Sequence, residues 1–278
     1  MTDLFVDVNG IKICYEIHGG GAPMILLHGF AMYKEFWFPQ IGELSKYFKL
    51  LSIDIRSCGK STHPSEHYSI LDIVEDIKGL MDYLDIDKAH MMGHSMGGMV
   101  AQNFALKYPK RLNKLILLAT IPKFPDVSGL DVYKESQIAS YKAKLEDPVN
   151  AFFEKMKPRF TRQFFKIMVN DPKHIFHGLF STEELLELEK KGTSNIQDLI
   201  YLSDIMGEHD TTNRLNEIQN ETLIITGNKD KHTPKFSHEL IHEKMPNSIL
   251  KIVSGAHFFP WENAPEISQI VADFLKLE

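Results

Sequence analysis

The sequence predicts an α/β fold, a mainly parallel sheet with helices on both faces, broken by a helical insertion. Three observations lead there. Short apolar runs recur at lengths suited to strands covered on both faces. Segments of helical period separate them, as parallel neighbours need long crossovers. The alternation stops between about residues 121 and 217, where no strand-like run appears and Phe and Met become frequent.

In chain order, residues 4–8 and 11–17 flank Asn9-Gly10, a pair that readily supplies the positive φ of a tight turn, so an antiparallel hairpin at a sheet edge is expected. After Gly19-Gly20-Gly21, the runs 24–27, 50–53, 89–92, 115–118, 223–226 and 249–253 read as buried strands. Between two of them, Ile70, Ile73, Val74, Ile77, Leu80, Met81 and Leu84 form one apolar helical stripe. The insertion contains Phe152, Phe153, Met156, Phe160, Phe164, Phe165, Met168, Phe176 and Phe180, and Pro148, Pro158 and Pro172 mark its breaks or kinks. Ser181 and Glu184 have capping-box spacing ahead of Leu185, Leu186 and Leu188, which predicts a helix start. These boundaries divide the chain into a core of residues 1–120 and 218–278 and a helical cap of residues 121–217.

The chain has 278 residues, 43% of them hydrophobic, enough to bury a large core. A net charge of -6 without basic clusters argues against nucleic acid as a partner and leaves a small molecule as the expected one. Cys14 and Cys58 lie far apart and suggest neither a disulfide framework nor a zinc site. The acidic N-terminal segment lacks the pattern of a signal peptide, and no apolar run reaches membrane-spanning length, so a cytoplasmic protein is expected.

The strongest local signal is Gly93-His94-Ser95-Met96-Gly97. Alone, such a pentapeptide is compatible with an ordinary turn. Here it follows a buried strand and precedes a helix-like run, the setting of a strained elbow that projects a serine hydroxyl outward. The same turn places Ser95 at a helix N-terminus, which favours a developing anion. A serine needs a base, and the base an acid that orients it. His257, in the loop after the last predicted strand, and Asp230, in the turn after the penultimate one, complete the order Ser, Asp, His at successive strand ends. For the oxyanion, the expected backbone donors are the N–H groups of Met96 and of Phe30, in His28-Gly29-Phe30. His28 and His94 read as residues that hold the loop and the elbow.

These residues, with Asp54-Ile55-Arg56-Ser57-Cys58-Gly59-Lys60-Ser61, Gly227-Asn228-Lys229-Asp230 and Gly255-Ala256-His257, resemble the α/β-hydrolase superfamily over nearly the whole chain. The similar branch comprises small esterases, lactonases and carbon–carbon bond hydrolases with a helical cap. The resemblance implies an eight-stranded sheet and a Ser-His-Asp triad. It disfavours haloalkane dehalogenase and epoxide hydrolase activity, which use an aspartate at the elbow. Ser57 stands where the family usually has glycine.

The expected activity is hydrolysis of a small ester or lactone, with an apolar acyl or aromatic part, through an acyl-enzyme that requires no metal or organic cofactor. Carbon–carbon hydrolysis, perhydrolase or acyltransferase chemistry, and a ligand-binding receptor with little turnover are the alternatives. The insertion's Phe and Met residues have two readings, lining of an apolar pocket or packing between cap helices.

Overall fold

The computed structural model describes residues 2–125, 127–190 and 192–276. The hairpin forms as expected: β1 (Leu4–Val8) pairs antiparallel with β2 (Ile11–His18), and Asn9 and Gly10 take φ of 50° and 77°. Neither value suits a residue with a branched side chain. β3 (Ala22–Leu27), β4 (Phe48–Asp54), β5 (Ala89–His94), β6 (Leu112–Leu118), β7 (Thr222–Gly227) and β8 (Ser248–Val253) complete an eight-stranded sheet of order β1-β2-β4-β3-β5-β6-β7-β8. β2 runs antiparallel to β4, and every pairing from β4 to β8 is parallel. The α/β fold and strand number match expectation.

Alternation along the strands builds two cores. Ile25, Leu27, Leu115 and Leu117 face one side, with α2 (Ile70–Tyr83) and α3 (Met96–Lys107). Met24, Leu26, Ile116 and Leu118 face the other. There they meet Leu44 of α1 (Phe38–Leu44). Each fully buried aliphatic chain contributes about 2 kcal/mol. The sixth apolar run departs from expectation. Ile249 and Ile252 of β8 are 47% and 48% exposed, because β8 is the edge strand and its outer surface is only partly covered.

Between β6 and β7 lie α4 (Val127–Glu146), α5 (Pro148–Met156), α6 (Arg162–Asn170), α7 (Thr182–Glu189) and α8 (Ile196–Glu208). The capping box of α7 is present: Ser181 N–H donates to Glu184 Oε2 at 2.7 Å, and Glu184 N–H donates to Ser181 Oγ at 3.3 Å. Phe152, Met156, Phe160, Met168, Phe176 and Phe180 are buried in the same cluster as Met24, Leu26, Trp37 and Trp261. The insertion therefore shares a hydrophobic core with one face of the sheet. The fold closes with α9 (Lys235–Lys244), α10 (Phe259–Glu262) and α11 (Ala264–Lys276), the last burying Ile267, Val271 and Leu275 against α1 and the sheet. Among the described residues, no helix is long and apolar enough to cross a membrane.

Candidate active site

Ser95 sits alone between β5 and α3, with φ 54° and ψ −118°. Such a backbone costs a non-glycine residue on the order of 1–3 kcal/mol and must be held by its surroundings. Ser95 N–H donates to Leu118 O at 2.9 Å, and Thr120 Oγ1 donates to Ser95 O at 2.8 Å. The flanking glycines have steric reasons: a Cβ at Gly93 would meet the Gly97 backbone, and one at Gly97 would meet the carbonyls of Leu27 and His28.

The three residues singled out at strand ends lie in one hydrogen-bonded chain. Ser95 Oγ is 3.1 Å from His257 Nε2, and His257 Nδ1 is 2.9 Å from Asp230 Oδ2. An ionised carboxylate only accepts, so Nδ1–H donates to Asp230 and Nε2 is left to accept from the serine hydroxyl. Asp230 Oδ2 also accepts from Thr233 Oγ1 at 2.6 Å, and Oδ1 accepts the N–H groups of His232 and Thr233 at 2.8 and 3.0 Å. Burial works against this carboxylate, but His257 and then Thr233 outweigh it and hold its pKa well below the usual range.

The His257 loop is anchored from two sides. His94 Nε2–H donates to His257 O at 2.9 Å, while burial, reinforced by the neighbouring His257, pushes the His94 pKa well below that of an ordinary imidazole. Glu262 accepts Ala256 N–H on Oε2 at 3.0 Å and Thr161 N–H, from the insertion, on Oε1. Its own carbonyl accepts from His177 Nε2 at 2.7 Å.

Phe30 lies on the cavity wall with Ser95. Its loop presses on the elbow, since a Cβ at Gly29 would stand 3.3 Å from Ser95 Cβ and 3.1 Å from His94 Nδ1. His28 holds that loop: Ile55 N–H donates to Nε2 at 3.2 Å, which leaves Nδ1–H to donate to Gly29 O at 2.8 Å. Beyond it, Asp54 Oδ1 accepts Lys34 N–H at 2.6 Å and Oδ2 accepts Lys60 N–H at 2.9 Å. Met96 is the first residue of α3, and its N–H is among those a helix leaves without an internal acceptor. Ser57, in the position usually occupied by glycine, has φ 65°, a left-handed conformation that glycine adopts without cost.

A cavity of about 720 Å³ extends over Ser95, with Tyr133, Ser140 and Arg159 from the insertion among its walls. None of the nine Phe and Met residues singled out in the insertion lines it; Phe124, Met206 and Phe258 do. The structure shows the packing reading for these nine, with Phe152 also on the wall of a smaller adjoining recess.

His232 and Arg159 are wall residues that the order of residues does not single out. His232 meets the His257 ring edge-on at 4.9 Å, and burial, then the charges of His257 and Arg159, push its pKa down to about 3. Its signal was its place two residues after Asp230. Arg159 had none, being one basic residue between a proline and a phenylalanine.

Known proteins share this architecture. Residues 22–264 match the family described as the alpha/beta hydrolase fold. The 2-hydroxy-6-oxo-6-phenylhexa-2,4-dienoate hydrolase of Comamonas testosteroni is 26% identical, over 97% of this chain and 93% of that protein. An AB hydrolase superfamily protein of Bacillus subtilis is 27% identical, over 95% of each. Among solved structures, a thermophilic esterase from Thermogutta terrifontis superposes with a TM-score of 0.81 at 25% identity, covering 99% of this chain and 98% of that one. The enol-lactonase of Burkholderia xenovorans gives 0.80 at 23%, covering 98% and 99%. With an eight-stranded sheet of this order and a family match over most of its length, the chain belongs to the α/β-hydrolase fold family.

Proposed function

We propose that this protein is a serine hydrolase that cleaves a small carboxylic ester or lactone through an acyl-enzyme. The observation that carries the reading is the continuous chain Ser95 Oγ, His257, Asp230, with spacings of 3.1 and 2.9 Å on the floor of a cavity. His257 Nε2 takes the proton of Ser95 as its oxygen attacks the carbonyl carbon, and Asp230 stabilises the imidazolium that forms. The N–H groups of Phe30 and Met96 receive the oxyanion, fixed in place before the charge develops. The imidazolium protonates the leaving alcohol; a water deprotonated by the same nitrogen then releases the acid and restores Ser95. No metal or organic cofactor enters these steps. Residues 121–217 act as the cap, whose wall residues, Phe124 and Met206 among them, supply with Phe258 of the core surface for an apolar or aromatic substrate part.

Ser95→Ala tests the reading. Turnover of short-chain p-nitrophenyl esters and of a lactone panel is expected to fall by about four powers of ten or more, and a fluorophosphonate is expected to label Ser95 in the active protein. Undiminished hydrolysis by the variant refutes the assignment. A second reading, carbon–carbon hydrolysis on the same serine, is favoured by the dienoate hydrolase relative. Faster cleavage of a 2-hydroxy-6-oxo-dienoate than of every ester and lactone would select it.

A further inference from the structure

Arg159 reaches the cavity wall without a counter-ion: among the described residues, no carboxylate oxygen lies within the 4.0 Å of an ion pair. Its backbone is held at both ends. The N–H donates to Met156 O at 2.9 Å, and the carbonyl accepts Phe258 N–H, the residue after His257, at 2.8 Å. Its guanidinium carbon lies 5.9 Å from the centre of the Phe258 ring. Nη1 donates to the Lys155 carbonyl, which leaves most of the five guanidinium donors without a protein acceptor among the described residues.

The neighbouring acid is already engaged. Glu189 accepts from Lys155 Nζ on both oxygens, at 2.8 and 2.9 Å, and Lys144 Nζ is 3.6 Å away. Lys155 and Lys144 thus share one carboxylate, and with Arg159 they line a recess of about 70 Å³, which has Arg159 and Lys155 in common with the main cavity. Glu154, also on the main wall, is 64% exposed and pairs with Lys157. Burial pushes the pKa values of both Arg159 and Lys155 down, the mark of cations short of solvent. An anion delivered to this wall would meet a planar donor that no carboxylate among the described residues already pairs with.

We infer that this wall is an anion subsite, in which Arg159, backed by Lys155, receives a carboxylate carried by the substrate. The inference rests on the reading of Ser95 as nucleophile, and it narrows the substrate class from esters and lactones at large to those bearing a free acid group.

The test compares charged and neutral partners. Monomethyl adipate is set against dimethyl adipate, with the charge on the acyl side, and acetoxyacetate against its methyl ester, with the charge on the alcohol side. In the unaltered protein, the charged member of at least one pair is expected to have a kcat/KM tenfold or more above its partner. Arg159→Gln is expected to cut that ratio by 10- to 100-fold. Equal or better use of the neutral member in both pairs overturns the subsite, as does a ratio unchanged in R159Q. If circular dichroism shows R159Q to be misfolded, Arg159→Lys, which keeps the charge and loses the planar fork, is read for the same ratio.

Calorimetric binding of the four esters to the Ser95→Ala protein separates the two claims. Tighter binding of a charged ester that is lost with R159Q, without Ser95-dependent turnover of any ester in the unaltered enzyme, leaves the subsite standing and removes the hydrolase reading. Ser95-dependent turnover without charge preference does the reverse.

Discussion

Asp230→Asn is the sharpest probe of the hydrogen-bonded chain. In the native protein, Oδ1 accepts two main-chain N–H groups, at 2.8 and 3.0 Å, and Oδ2 faces Thr233 Oγ1 and His257 Nδ1. An asparagine amide cannot turn its NH2 toward two N–H donors, so its oxygen must take the Oδ1 position. The NH2 then faces His257 Nδ1, which has to accept. The ring proton moves to Nε2, where it points at Ser95, 3.1 Å away, and the base is lost while the geometry survives. The expected loss in kcat is about four powers of ten, equivalent to about 5.5 kcal/mol, with KM within about threefold because the cavity is unchanged. Stopped-flow assays with p-nitrophenyl butyrate give both constants, and nitrogen-15 shifts of His257 report the tautomer. A folded variant that loses less than tenfold, or one with Nδ1 still protonated, refutes the reasoning.

Four further outcomes follow from the packing. Lys34 Nζ, 1% exposed, lies 2.9 Å from Asp3, 3.1 Å from Glu35 and 3.7 Å from both Glu16 and Asp54. Lys34→Met leaves buried carboxylates uncompensated and should cost about 3–5 kcal/mol in urea unfolding; a loss under about 1 kcal/mol would show the cluster to be unimportant. Gly97→Ala places a methyl against the Leu27 and His28 carbonyls and should lower stability by about 1–3 kcal/mol together with activity. Gly42→Ala, in α1 with nothing within 4 Å, should raise stability by about 0.5–1 kcal/mol, and both are read by thermal melting. Burial pushes His209 down from 6.5 to about 4, so the folded state binds fewer protons than the unfolded chain between those values. Its contribution is present above pH 6.5 and lost as pH falls toward 4, and His209→Gln should flatten the acid side of the stability curve by about 1.4 kcal/mol per pH unit; unfolding at pH 6, 5 and 4 checks the slope.

What could be read from residue order and what could not differ in physical origin. The hairpin was legible because Asn9-Gly10 solves a local backbone problem, and the α7 start because Ser181 and Glu184 satisfy each other across one turn. The elbow was legible because glycine at Gly93 and Gly97 answers a steric demand that survives in a pentapeptide. Positions determined by distant partners were not. The exposure of Ile249 and Ile252 depends on β8 standing at the sheet edge, which an apolar run does not encode. The phenylalanines of the insertion join the core of Trp37 and Trp261, and only three-dimensional packing decides between that and the cavity wall. Arg159 is placed by its carbonyl's bond to Phe258, nearly a hundred residues on, so its neighbours in sequence say nothing of its surroundings.

The two carboxylate oxygens of Glu262 join two parts of the molecule. One takes the N–H of Thr161 and the other that of Ala256, and the Arg159–Phe258 bond runs alongside, so the insertion is stitched at this margin to the loop carrying His257. A widening of the cavity that keeps these bonds leaves this margin in place and must instead break contacts elsewhere, such as those of Asp198 with His63 and of Ser194 with the Ser57 carbonyl. Such a motion changes the aperture while the imidazole keeps its register with Ser95. The alternative, lifting the stitched margin, would drag the His257 imidazole off Ser95, so passage through the cavity and the proposed chemistry would compete.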